Sequence, residues 1–372
     1  MTRRRRLVLA AAAVLLAAGL AAYFVFRPSA RPAREIDLRF RTVRIVSVCA
    51  ALLENPGAKT VRFLDAGGAP YRDYFLHAGL VPAAPDAPAD IAVATAAPTP
   101  ETAAAAGLAS NGVLAVFLDV RGMKTEAFRA ALAALPGAAV HVWMPGLADW
   151  VLAARRAEGT TKLSDMLDVF ARETAFEDFV HAQCETPAEA LASYVGTREE
   201  LLPACDANPG AVVRPECFTT AAVAPLDWIE TGDVEDEIMW GVARETRRLQ
   251  EIRRVLLRGD AFAAQDRTEA AVAQWNAVAN RNPRDTMLLD RLYQLAVNAR
   301  AFQNVGNLKG AAKCYETMIL VRTNDYAAVR EYAACLMALG ERDLARQVLD
   351  RAETLKDEID TAFIHKALEG AQ

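Results

Sequence analysis

The chain has 372 residues, 53% of them hydrophobic and 24% charged, with a formal net charge of −5. That composition excludes bulk disorder and collagen-like repetition, and the length suits two or three ordinary domains. A mildly acidic chain lacks the basic face of a dedicated nucleic-acid binder, and six cysteines are too few for a disulfide scaffold.

Residues 1–6 read MTRRRR, and residues 7–26 follow without a single charge. Twenty helical residues span about 30 Å, the thickness of a bilayer core, and Tyr23 and Phe24 sit at the level of an interfacial aromatic belt. A basic stretch containing Pro28 and Pro32 comes next and is expected to stop the helix. Residues 1–35 therefore read as a transmembrane anchor or, if cleaved, a secretory signal. The length favours the anchor, since a signal's apolar core is about 7–15 residues. Arginines on both flanks nearly cancel the positive-inside rule. A leading RRRR held in the cytoplasm would place the soluble part on the periplasmic or extracytoplasmic side.

From residue 42 to about 225, short apolar runs alternate with helical patterns. Val43–Cys49 reads as a strand or as the start of a helix. Strands are expected at Val61–Ala66, Asp90–Ala96, Gly112–Val120, Ala139–Met144 and Asp149–Ala154, with Pro145-Gly146 as a hairpin turn between the last two. Helices are expected at Tyr71–Leu80 and Thr125–Leu135. Near-continuous apolar strands between helices suggest a parallel sheet covered on both faces, with a closing antiparallel hairpin.

The run LASNGVLAVFLDV (108–120), a helix, then AVHVWMPGLADWVLAARR (139–156) resembles the last third of the spermidine synthase-like, class I methyltransferase fold. ADIAVATAAPTP (89–100) resembles the preceding family strand. Residues 184–218, closing on Asn208 and on Arg214-Pro215-Glu216-Cys217-Phe218, resemble the tail of membrane-linked bacterial members. The resemblance covers about 60–225 and implies a Rossmann-like α/β sheet. It also implies a nucleoside cofactor, S-adenosylmethionine or its decarboxylated form, beside the turn after the first strand. The residues standing there are Asp65, Gly67 and Gly68, with Thr95 at the place of the family's catalytic aspartate. A carboxylate at that place can accept a proton from an attacking amine and a threonine cannot. The family's second and third strands have no room between Ala66 and Asp90. The domain thus reads as a shortened, non-catalytic relative, a pseudoenzyme with at most a residual pocket at Asp65, Gly67, Gly68 and Thr95.

His181, Cys184, Cys205 and Cys217 admit three readings: a zinc site, a disulfide among the three cysteines, or free thiols. A single tight pair is weak zinc spacing, and no metal site is assigned. His77 and His141 lie on apolar segments and read as structural. No phosphate loop, H-E-x-x-H or G-x-S-x-G motif occurs.

From 231 to 372 helical patterning takes over. Gly259, Phe262, Ala271, Trp275, Val278 and Pro283 fall at the small, aromatic and proline positions of a tetratricopeptide repeat. Ala299, Phe302, Gly306, Ala311, Tyr315 and Met318 repeat the pattern, and Ala333, Leu336, Gly340, Ala345, Leu349 and Ala352 repeat it again. The first junction carries about six extra residues. The region resembles a tetratricopeptide-repeat solenoid over about 250–360, closed by a helix at 357–368. Arg247, Arg248, Arg253 and Arg254, on a helix leading in, read as a solvated face.

Together these readings give a membrane-tethered interaction scaffold. A protein or peptide is its partner in the repeat groove, the membrane is its partner through residues 7–26, and no nucleic acid is involved. The alternatives are a residual aminopropyltransferase or methyltransferase, and a nucleoside-binding sensor.

Overall fold

The computed structural model describes residues 30–99, 106–157, 159–172, 178–179, 182, 184, 186–215, 218, 228–230, 236–283, 285–323 and 325–353. The apolar stretch 7–26, His181, Cys217 and the expected closing helix at 357–368 lie outside the described residues. Among those described, no helix is long and apolar enough to cross a membrane.

The first element is α1 (Ala30–Glu54). Of the two readings open for Val43–Cys49, the helix is the one that forms. From Val43 to Glu54 nearly every side chain is buried. A helix apolar all round belongs inside a core.

The strands are β1 (Thr60–Phe63), β2 (Val81–Pro82), β3 (Ala89–Ala94), β4 (Leu108–Asp119), β5 (Ala139–Trp143) and β6 (Asp149–Arg155). With β8 (Tyr194–Thr197) they form a seven-stranded sheet in the order β2-β1-β3-β4-β6-β5-β8. Strands β2, β1, β3 and β4 run parallel, and β6 is antiparallel to both β4 and β5. The hairpin at Pro145-Gly146 is therefore present. A two-residue strand, β2, does pair beside β1 in the stretch between Ala66 and Asp90 where two full strands had no room. A strand that short needs far fewer residues than a full crossover unit. Between β1 and β2 runs α2 (Ala69–His77), and between β4 and β5 runs α3 (Thr125–Ala134). Outside the sheet, β7 (Thr161–Lys162) pairs in parallel with β9 (Ile229–Glu230). Further helices of this part are α4 (Leu163–Phe170), α5 (Pro187–Leu191) and α6 (Arg198–Ala207).

Strand β4 is buried on both faces. Leu114, Val116 and Leu118 point into one core with Phe128 and Leu132 of α3. Val113, Ala115 and Phe117 point into the other, with α1, Phe75 of α2 and Leu163 of α4. Period-two alternation sends neighbours to opposite faces.

Among the described residues, six helices follow: α7 (Asp236–Ala263), α8 (Thr268–Arg281), α9 (Thr286–Asn304), α10 (Leu308–Val321), α11 (Tyr326–Ala338) and α12 (Arg342–Glu353). They pack as successive hairpins. Ala271, Trp275 and Val278 are buried, as are Ala299, Ala311, Tyr315, Met318, Ala333, Leu336, Ala345 and Leu349. Gly306 and Gly340 hold φ of +75° and +85° in the turns after α9 and α11, while Asp266 takes φ +57° in the turn after α7. The extra residues at the first junction are helical. They lengthen α9 to 19 residues against 13 in α11. Arg253 departs from the solvated reading: it is buried, with Nε donating to Asp285 Oδ2 at 3.2 Å and Nη2 to Thr286 Oγ1 at 3.1 Å.

The first sheet core continues into these helices through Ile252, Leu256, Trp275, Met287 and Leu288. Trp275 also donates from Nε1 to Asp260 Oδ1 at 3.0 Å, and Gly259 leaves the gap its ring occupies, since a Cβ there would lie 2.6 Å from the indole nitrogen. Trp275→Ala is expected to lower the unfolding free energy of the full chain by about 3–5 kcal/mol, read by urea denaturation.

Candidate functional site

In a doubly wound sheet, ligands bind outside the carboxyl ends of the strands, where the strand order reverses. That point lies between β1 and β3, and the four residues of the expected pocket meet there. Asp65 caps a short 3-10 turn, Ala66–Gly68. Its Oδ2 accepts from the backbone N–H of Thr95 at 2.7 Å and of Ala96 at 3.3 Å. Its Oδ1 accepts from Thr95 Oγ1 at 2.8 Å and from Gly68 N at 3.2 Å. A Cβ on Gly67 would collide with the Thr95 hydroxyl. The turn after β1 thus closes directly onto the turn after β3, and Asp65 is the clasp.

The chemistry of this clasp is structural. Partial burial pushes the Asp65 carboxyl up, but the hydrogen bonds from Thr95, Ala96 and Gly68 outweigh it and hold the group below its usual value. A carboxylate held ionised by four donors is a poor proton acceptor. Asp119, at the end of β4, is likewise committed: it binds the Arg121 side chain and backbone N–H. Burial raises its carboxyl, and the Arg121 contacts bring it below the ordinary range.

Two strands along the same edge, a cleft of about 320 Å³ opens between the sheet and the helical array. Val120, Arg121, Leu147 and Ala148 line it from the sheet, Val213, Arg214 and Pro215 from the tail, and Asp260 and Arg291 from α7 and α9. Burial raises the Asp260 carboxyl above its usual value, and Arg291 and Trp275 offset only part of that rise. Arg291 donates from Nε to Asp260 Oδ1 at 2.9 Å and from Nη1 to Gln294 Oε1 at 3.0 Å. Sequence reading missed this cleft because its walls are far apart along the chain. Arg214 was visible only as part of the closing motif, whose Phe218 packs against Phe128 and Trp150.

Inside the second core, His141 is not an isolated aromatic. Its Nδ1 lies 2.9 Å from both carboxylate oxygens of Glu54, and Trp143 Nε1 donates to Glu54 Oε1 at 2.7 Å. The His and Glu side chains are 3% and 0% exposed, and Tyr194 and Trp228 enclose the imidazole. The pair fastens the end of α1 to β5. The other histidine, His77, is exposed rather than packed on an apolar face, with Nδ1 2.8 Å from Asp178 Oδ2.

Cys184 and Cys205 lie in the cores on opposite faces of the sheet, so of the disulfides left open among the three cysteines the one between these two does not form, and both are free thiols. No cluster of metal-binding side chains occurs among the described residues. No family model, curated protein or solved structure matches the chain.

Two outcomes follow from this geometry. A folded-state carboxyl below its unfolded value contributes stability that is complete above about pH 4 and is lost as pH falls through the lowered value. Asp65→Asn should therefore flatten the acid limb of the thermal stability profile below about pH 4. Glu54→Ala should cost about 3–5 kcal/mol in urea unfolding, because it strands a buried imidazole and an indole N–H.

Proposed function

We propose that this chain is a membrane-tethered interaction scaffold whose helical hairpins hold a protein or peptide partner, and whose α/β part is a degenerate spermidine synthase-like domain that has lost its chemistry. The observation carrying this reading is the Asp65 clasp. The place where a nucleoside would lie against bare backbone is filled by the Thr95 side chain. The order of the sheet, reversing at β1, supports the Rossmann-like resemblance. Most of the small and aromatic anchors of the helices, Trp275 and Tyr315 among them, are buried at repeat spacing and support the tetratricopeptide resemblance, although Phe302 is exposed. Residues 7–26 supply the tether, with the folded part outside the cytoplasm.

Two exposed apolar side chains at the end of α9, Phe302 and Val305, mark where a partner can be trapped. A photo-crosslinking residue at either position, in full-length protein in its native membrane, should give discrete adducts of defined mass. Calorimetric titration of the full chain with S-adenosylmethionine and its decarboxylated form should show no binding tighter than about 100 μM, roughly −5.5 kcal/mol. Binding tighter than that, with no adducts at either position, would replace the scaffold by the residual enzyme or sensor.

A further inference from the structure

The cleft between the sheet and the helical array, of about 320 Å³, is on the scale of a pocket for one small molecule. Leu147, Ala148 and Pro215 give it apolar walls. Its charged groups are Arg121, Arg214, Arg291 and Asp260. Two of the three arginines are already paired. Arg121 Nε donates to Asp119 Oδ1 and Oδ2 at 2.9 and 3.0 Å. Arg291 Nη2 lies 2.7 Å from Asp260 Oδ2, and its Nη1 donates to Gln294. Arg214 is exposed and makes no hydrogen bond or ion pair among the described residues. With Asp119 counted, the charges at the cleft leave one positive charge over, on Arg214.

Arg214 does not hang on a loose tail. The residues on either side of it, Val213 and Pro215, are buried. Val213 N–H donates to Met123 O at 2.7 Å, and Phe218 N–H donates to Pro215 O at 3.0 Å. The Phe218 ring is fixed between Phe128 and Trp150. Behind the cleft, Asp290 is fully buried and accepts from the Leu147 N–H at 2.9 Å, and it is not part of the lining.

We infer that this cleft binds a small organic carboxylate, with the Arg214 guanidinium pairing its charged end and the apolar walls taking its body. A guanidinium can donate two parallel N–H bonds to one carboxylate. A single unmatched charge suits a monoanion, whereas a phosphate would leave the apolar walls unused. Low-dielectric walls on two sides strengthen such a pair beyond one on an open surface. The walls come from the sheet, from the tail and from α7 and α9, so a bound molecule braces the array against the sheet and stabilises the folded chain. This site is independent of the scaffold reading, and either can fail without the other.

The probe is sodium phenylacetate, with phenylacetamide as its uncharged counterpart and sodium phosphate as the inorganic anion. Each is added at matched ionic strength to the full-length protein in detergent, and calorimetric titration and thermal melting are read together. Phenylacetate is expected to bind with a Kd of about 1 mM and to raise Tm by about 2 °C at ten times that concentration. Phenylacetamide and phosphate should do neither. Arg214→Ala should melt like the parent chain, because the side chain is exposed and unpaired, and should weaken phenylacetate binding about tenfold or more. Ala264→Trp, from the opposite wall, should fill the cleft and abolish binding. No binding of phenylacetate to the folded parent chain, or unchanged binding in either variant, overturns the site. Equal stabilisation by phenylacetamide, or binding of phosphate alone, overturns the carboxylate as its ligand.

Discussion

Strand β4 is the member that everything else leans on. Its alternating residues enter two separate cores, so it cannot shift by one residue without exchanging their contents. One of those cores is closed by α1, α2 and α4. The other runs through α3 into the helical array. The array is therefore not a domain hung on a linker; its first hairpin completes a core that the sheet begins. An apolar face of a single helix pair has to be covered by a neighbour, and here the neighbour at one end is the sheet.

Much of this architecture was written in local patterns. The strands of the sheet carry β-branched runs between turn residues, and the repeat anchors recur at helical spacing. What failed was legible only in three dimensions. Val43–Cys49 admitted a strand or a helix, and the helix is what forms; from Val43 to Glu54 α1 is buried on nearly every side, and a buried helical stretch and a strand look alike in so apolar a run. Arg253 looked like one of four arginines on a wet face, yet Asp285 and Thr286 claim it from the start of α9. Asp266 occupies the left-handed turn position that Gly306 and Gly340 hold in the later hairpins, and no glycine marked it.

The site tells the same story at smaller scale. Asp65, Gly67, Gly68 and Thr95 were grouped from sequence, and they do come together. Thr95 is the informative residue, because its hydroxyl and N–H turn Asp65 into a clasp. The Glu54–His141 pair had no such signal. A buried charge pair depends on two elements meeting, and nothing near Glu54 or His141 in the chain announces the other. Pairs of this kind cost desolvation and are repaid only by close geometry, which is why they contribute more to the uniqueness of a fold than to its depth.

The lengthened helix α9 has a mechanical meaning. Its added turns stand at its beginning, before the repeat anchors, and they carry Met287, Leu288 and Asp290. The Asp290 carboxylate accepts from the Leu147 N–H at 2.9 Å, in the hairpin between β5 and β6, and sits against Gly146, where a Cβ would lie 3.3 Å from it. A helix advances by about 100° per residue. An overhang one residue shorter would point Asp290 about a quarter-turn away from the hairpin, and two residues shorter would point it nearly backwards. The size of the insertion is thus an angular setting, and it fixes the bearing at which the array leaves the sheet.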